Sequence, residues 1–206
     1  MLVALPLQSG GAQIIRGGQY GVRDPQTWVS AGIGWQNGWT VFDGTTQSRW
    51  DFGDTQQYGL SIERAVNGGI TLGVRAATAQ PSLNFLNTTG SPLTRQADAR
   101  VTQALGVVHV TTGRDIRSVF ELGLGSTIYS GIRERGTDAR LGPSTDADFT
   151  FVFSYGLGYS FSRKFHIDVV QDIGTSLHQK TGLSAGEDTS IRISNTRLVA
   201  RLGLGG

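Results

Sequence analysis

The chain has no cysteine among its 206 residues, which excludes a disulfide framework and a thiolate metal site. It also has no apolar run of the roughly 18 residues that a transmembrane helix needs. The formal net charge is only +2 and the arginines are scattered, so no basic stripe for nucleic acid forms. Glycine, in contrast, is abundant, with 30 residues. The length suits one domain without requiring a second.

The clearest pattern lies in residues 149–161, where large and small side chains alternate. The large set contains Phe149, Phe151, Phe153, Tyr155, Leu157, Tyr159 and Phe161. The residues between them are small or modest and carry no charge. Because side chains of a strand alternate between its two faces, this pattern predicts a strand with one apolar wall.

Whether that apolar wall faces lipid or a protein core decides between a membrane protein and a soluble one. In a soluble barrel the other wall would meet water and should carry charges, whereas here it carries glycine and serine, which suit a crowded interior. The aromatic wall suits lipid. The seven large residues are therefore predicted to face lipid, and a buried strand of a soluble β-sandwich is the alternative.

Seven further segments show related alternation. The eight predicted strands cover residues 27–36, 56–66, 70–79, 98–111, 116–129, 149–161, 165–175 and 191–204. The pattern of the fourth is mixed, because Val101, Leu105 and Val107 share a face with Gln103 and His109. Short turns alternate with long predicted loops at 37–55, 80–97, 130–148 and 176–190. This alternation is typical of outer-membrane barrels.

Ionisable residues fall on the faces opposite the apolar ones. They are Glu63, Arg75, Arg117, Glu121, Asp168, Asp172, Arg197 and Arg201. Buried charges must be paired, and an eight-stranded barrel is just wide enough for side chains to fill it. We therefore predict an interior polar network that plugs the barrel. A path for protons or small ions is the alternative use of the same residues.

On these segments, turns and inward charges, the chain resembles the eight-stranded outer-membrane barrels of the OmpA/OmpX type over residues 27–204. The predicted fold class is accordingly all-β, an eight-stranded antiparallel up-and-down transmembrane β-barrel. The resemblance implies localisation in the cell outer membrane, contact with outer-membrane lipid and insertion by the barrel-assembly machinery. The C-terminal sequence departs from the family pattern, which usually ends in an aromatic residue.

Candidate chemical motifs are weak. Residues 182–186 match G-x-S-x-G around Ser184, with His178 and Asp188 nearby, but that motif needs a strand before it and a helix after it. The three histidines, His109, His166 and His178, show no metal-ligand spacing. We predict no enzyme activity, no catalytic residue, no cofactor and no metal.

Residues 1–12 resemble the end of a secretory signal, with an apolar core followed by small residues, so the predicted barrel domain covers 13–206. The predicted function is a structural or surface-interaction role in the cell envelope. An extracellular ligand or protein would bind through the loops, where Trp39, Phe42, Trp50 and Phe52 either contact a partner or pack on each other. The alternatives are a soluble lipocalin-like barrel that binds an apolar ligand, and a small-solute channel.

Overall fold

The structure is a computed structural model that describes residues 24–87, 93–178 and 190–205. These residues form eleven β-strands, all paired antiparallel. In chain order they are β1 (Thr27–Gln36), β2 (Trp39–Asp43), β3 (Ser48–Phe52), β4 (Thr55–Asn67), β5 (Ile70–Ala79), β6 (Ser82–Asn87), β7 (Leu93–Gly113), β8 (Ile116–Glu134), β9 (Thr145–Ser162), β10 (Phe165–Leu177) and β11 (Ser190–Leu204). This part of the chain contains no helix long and apolar enough to cross a membrane.

Eight of the strands close into a barrel. Around the wall the order is β1, β4, β5, β7, β8, β9, β10 and β11, and β11 pairs back onto β1. The closing pair runs from Thr27 opposite Leu204 to Gln36 opposite Asn195. A wall closed in this way has no unpaired edge. The predicted eight-stranded antiparallel barrel is confirmed, and each predicted strand lies on one of these eight.

Tight turns join the strands at one end of the barrel. Two of them depend on glycine, because Gly69 and Gly113 adopt φ angles of 86° and 106°. A side chain disfavours that left-handed region, whereas glycine enters it freely. At the other end the connections are long, and outer-membrane barrels present their long loops outside the cell.

Two of the predicted loops are wrong, because they contain strands. Residues 37–55 form the hairpin β2–β3, and residues 80–97 contain β6 and the start of β7. These strands add to β7 in the order β2, β3, β6, β7. β8 and β9 also run further than predicted, to Glu134 and back to Thr145. We call β2, β3 and β6, together with residues 93–99, 128–134 and 145–148, the outer extension.

The outer extension has its own apolar core. The core consists of Trp39, Val41, Trp50, Phe52, Leu83, Phe85, Ala97, Ala99, Val101, Tyr129, Ile132, Leu141 and Ile191. The rings of Trp39 and Phe52 stack with their centroids 4.6 Å apart, and Phe52 stacks on Tyr129 at 5.6 Å. Trp39, Trp50 and Phe52 thus all lie in this core, and of the four loop aromatics only Phe42 is largely exposed.

The structure also explains the mixed pattern of β7. Val101, Leu105 and Val107 lie on the inner face beside Gln103 and His109, and all five are buried. Leu105 and Val107 pack with Val152 of β9 in a small apolar cluster inside the barrel. The interior is therefore not uniformly polar, because the inner face of this strand carries apolar residues beside Gln103 and His109, while Val108 lies on its outer face.

Candidate functional site

The barrel interior holds an ionic network centred on Glu121 of β8. Its carboxylate accepts a hydrogen bond from Arg75 and another from Arg197 Nη2 at 3.1 Å. Arg197 also donates twice to Asp172, at 2.8 Å each. β5, β8, β10 and β11 are thereby joined across the lumen by side chains that ordinary strand alternation turns inward.

A second part of the network lies nearer the tight-turn end. Arg117 Nη2 donates to Asp168 Oδ1 at 2.7 Å, and Arg201 Nη2 donates to Glu63 Oε2 at 2.6 Å. His109 joins the two parts, because it accepts from Arg201 through Nε2 and lies 3.5 Å from Glu121 through Nδ1. All eight predicted network residues therefore lie inside the barrel, four carboxylates against four guanidiniums.

A glycine makes room for one of these pairs. A Cβ built on Gly158 would lie 2.0 Å from Asp168 Oδ1 and 3.1 Å from Arg117 Nη2. Any side chain at this position would displace the pair. The charged side chains of the neighbouring strands therefore fit into the lumen because the inner residue of β9 at this position is small.

Polar side chains without charge lie beyond the ions, toward the outer extension. Asn195 donates to Gln57 at 2.8 Å, and Gln57 lies 3.3 Å from both Gln36 and Gln103. Still nearer the outer extension, the hydroxyl oxygen of Thr150 lies 2.8 Å from those of both Thr127 and Ser176. Sequence reasoning missed these groups, although all of them occupy inward positions of their strands. The core of the outer extension follows as the next layer.

The seven predicted lipid-facing residues of β9 are all exposed on the outside of the barrel. Other exposed apolar residues surround the wall with them: Trp35, Tyr58, Leu60, Ile62, Leu72, Val74, Val108, Ile116, Phe120, Leu122, Leu124, Phe165, Val169, Ile173, Leu177, Leu198, Leu202 and Leu204. We call this set the apolar belt. A continuous exposed surface of this kind in a barrel with a charged interior is the reverse of a soluble protein.

A histidine and several acids meet just outside the apolar belt. His178 follows Leu177, is buried, and its Nδ1 lies 2.7 Å from Asp148 Oδ1. Its ring packs edge-on against Trp50 and Tyr129 of the extension core. Burial opposes protonation, but the hydrogen bond and charge of Asp148 outweigh it and raise the pKa of His178. The G-x-S-x-G motif and Asp188 lie outside the described residues.

Comparison with known proteins yields matches only among structures. No protein-family model and no curated protein matches the sequence. The chain is similar to neisserial surface protein A (NspA), with 9% identity and a TM-score of 0.60 over 86% of this chain and 97% of that one. It is also similar to the outer membrane protein OprG of Pseudomonas aeruginosa, with 12% identity and a TM-score of 0.51 over 88% of this chain and 95% of that one.

The fold is thus that of the small outer-membrane β-barrels, and the resemblance to the OmpA/OmpX type is confirmed at the level of the fold. Together with the apolar belt, this fold places the protein in the cell outer membrane, as predicted. Outer-membrane barrels keep their short turns in the periplasm and their long loops outside the cell, so we expect the tight turns of this barrel on the periplasmic side.

A new charge should lower the stability of the barrel much more inside the apolar belt than outside it. Leu122, 47% exposed, lies near the middle of the belt, opposite Phe153 of β9. We expect Leu122→Arg to lower the free energy of unfolding in lipid vesicles by about 2–4 kcal/mol, since an arginine there must lie in hydrocarbon. Urea unfolding followed by tryptophan fluorescence measures the change.

Leu93 of the outer extension provides the matched control, because it is similarly exposed, at 53%, but lies outside the belt. Leu93→Arg should leave the unfolding free energy nearly unchanged. Equal losses from the two substitutions would show that the belt does not contact lipid.

Proposed function

We propose that the protein is a closed structural barrel of the outer membrane, which holds a rigid β-extension outside the cell. The observation that carries this proposal is the neutral ionic network. Every predicted lumen carboxylate lies within hydrogen-bond distance of a guanidinium from another strand. Such pairs hold the strands in register and neutralise the eight charges of the network, which disfavours ion transport through it.

The layers above the network support the same role. Neutral amides and hydroxyls come next, and the apolar core of the extension follows. Trp50 and Tyr129 of that core are fully buried, which favours a closed outer end of the barrel. This succession disfavours the small-channel alternative. The charged lumen also disfavours an apolar ligand inside, and the apolar belt disfavours a soluble barrel.

Binding of a surface partner is the second candidate function, and the outer extension favours it. Three strands continue the barrel wall outside the membrane: β6 pairs with β7, β3 pairs with β6, and β2 pairs with β3. On its exposed side, Arg49 lies over the ring of Phe42, 5.6 Å from the centroid. A preorganised surface binds a partner without the entropic cost of ordering a loop. Insertion by the barrel-assembly machinery and the lack of enzyme activity stay predictions.

Conductance tests the closed barrel directly. The refolded protein in a planar lipid bilayer should give no current steps above those of the bare bilayer, whereas a porin in the same apparatus gives them. Heat-modifiable gel migration would first establish that the inserted protein is folded. Regular current steps from the folded protein would replace the structural barrel with the small-channel alternative.

A further inference from the structure

Three side chains from distant parts of the sequence meet at the base of the outer extension. Asp43 ends β2, Asp146 lies in β9, and His178 follows β10. One ligand atom from each lies within 4.8 Å of the other two. His178 Nε2 is 3.7 Å from Asp146 Oδ2. The donors are one imidazole and two carboxylates.

The histidine is oriented so that its free nitrogen points into this group. His178 Nδ1 lies 2.7 Å from Asp148 Oδ1, and a carboxylate accepts, so the Nδ1 proton is donated to Asp148. Nε2 then offers its lone pair on the side of Asp146. His178 is only 1% exposed, yet its Nε2 has no hydrogen-bond partner. A buried acceptor without a partner is costly.

The charge of this group also favours a cation. Asp148 and Asp146 act electrostatically on the His178 ring. Even with a protonated ring, the two ionised carboxylates leave a net charge of −1 on these three side chains. Asp43 and Asp148 are almost fully buried, and Asp148 Oδ2 has no hydrogen-bond partner. Buried charge of one sign is unfavourable unless an opposite charge compensates it.

We propose that Asp43, Asp146 and His178 bind a divalent cation, Zn²⁺ by the chemistry of the donors, and that Asp148 orients His178. Imidazole and carboxylate are both zinc ligands, and a carboxylate on the second ring nitrogen is the usual support of a metal-binding histidine. Zn–N and Zn–O bonds of about 2.0–2.2 Å need ligand atoms only slightly closer than the 3.7 Å pair. Water would complete a tetrahedral site. Access is from outside, because the Asp146 side chain is 30% exposed.

A second group of similar composition shows why this site is selected. Glu63, His109 and Glu121 also meet within the lumen. There Arg201 donates to both His109 and Glu63, while Arg75 and Arg197 donate to Glu121. The guanidiniums already supply the positive charge and occupy the ligand atoms. This lumen group should bind no metal.

Metal at the proposed site would tie the β2–β3 hairpin to the barrel. Asp43 already anchors the hairpin turn, because its Oδ1 accepts from the backbone of Thr45 and Thr46 at 2.8 and 3.0 Å. Asp146 lies on β9 and His178 follows β10, and both strands continue into the barrel wall. A cation between them fixes the base of the outer extension, whether or not that extension binds a surface partner.

Zinc titration of the full chain tests the proposal. The refolded barrel in detergent, freed of metal with EDTA, should bind one equivalent of Zn²⁺ by calorimetry. Co²⁺ in its place should give the visible absorption of a tetrahedral complex. We expect His178→Gln and Asp43→Asn each to weaken Zn²⁺ binding at least tenfold. Asparagine keeps the acceptor that the hairpin turn uses, so the second variant should fold even where the first does not.

Two substitutions are matched controls. Asp138→Asn removes an exposed carboxylate of the same end of the barrel, and His109→Gln removes the histidine of the lumen group. Neither should change Zn²⁺ affinity. The proposal is overturned if folded wild-type protein binds no Zn²⁺, if both site variants bind as wild type does, or if His109→Gln abolishes binding.

Discussion

Glu121→Leu is expected to lower the free energy of unfolding in lipid vesicles by about 3–5 kcal/mol, the usual cost of removing one partner from a buried ion pair. The glutamate receives hydrogen bonds from both Arg75 and Arg197, and its side chain is 5% exposed. Among the described residues, the substitution leaves Arg75 a 3.7 Å contact to Asp172 as its remaining ion pair. Urea unfolding followed by tryptophan fluorescence measures the loss.

The control for this substitution is an exposed ion pair with a similar hydrogen bond. Asp98 accepts from Arg135 at 2.6 Å, but both side chains are in solvent. Asp98→Leu should therefore cost far less than Glu121→Leu, because water screens exposed charges. The double variant Arg75→Leu/Glu121→Leu should recover part of the lost free energy of unfolding, since it also removes the arginine that Glu121→Leu leaves without its carboxylate. If Glu121→Leu and Asp98→Leu lower the free energy of unfolding equally, the lumen network does not stabilise the barrel.

Trp50→Ala is expected to destabilise the outer extension by about 3–5 kcal/mol, the range for removing a buried aromatic side chain. Trp50 is fully buried and packs edge-on against Tyr129 and His178. Its Nε1 also donates to Ser48 at 2.7 Å, so the substitution removes a buried hydrogen bond as well.

This loss should be local, because the eight barrel strands remain hydrogen-bonded to one another without the hairpin. Hydrogen exchange should accelerate in β2, β3 and β6 and stay slow in β9 and β10. Phe42→Ala is the matched control, since Phe42 lies on the same hairpin but is 49% exposed. Equal acceleration in all strands would mean that the extension and the barrel unfold as one unit.

Sequence alone predicted the barrel because lipid selects an apolar outer face on the strands that cross the membrane, which gives most of them an alternating pattern. The stretch from Phe149 to Phe161 shows this most clearly, and its neighbours place charges on the opposite face. Where β8 and β9 leave the apolar belt, lipid no longer selects one face. The ends of these strands were therefore missed.

The outer extension was harder to predict for the same reason. β2 and β3 have five residues each, too few for alternation to stand out among polar neighbours. Their inward residues, Trp39, Val41, Trp50 and Phe52, were visible only as aromatic and apolar residues in a loop. The group of Asp43, Asp146 and His178 carries no sequence signal at all, because barrel closure rather than spacing brings its members together.

β7 is the longest of the strands that run through both the outer extension and the barrel. It continues for 21 residues, from Leu93 in the outer extension to Gly113 at a tight turn. At about 3.3 Å per residue its extended length is roughly 70 Å. The outer extension and the barrel therefore share a continuous strand. A force applied to the outer end of β7 would be transmitted along this strand to the tight-turn end of the barrel.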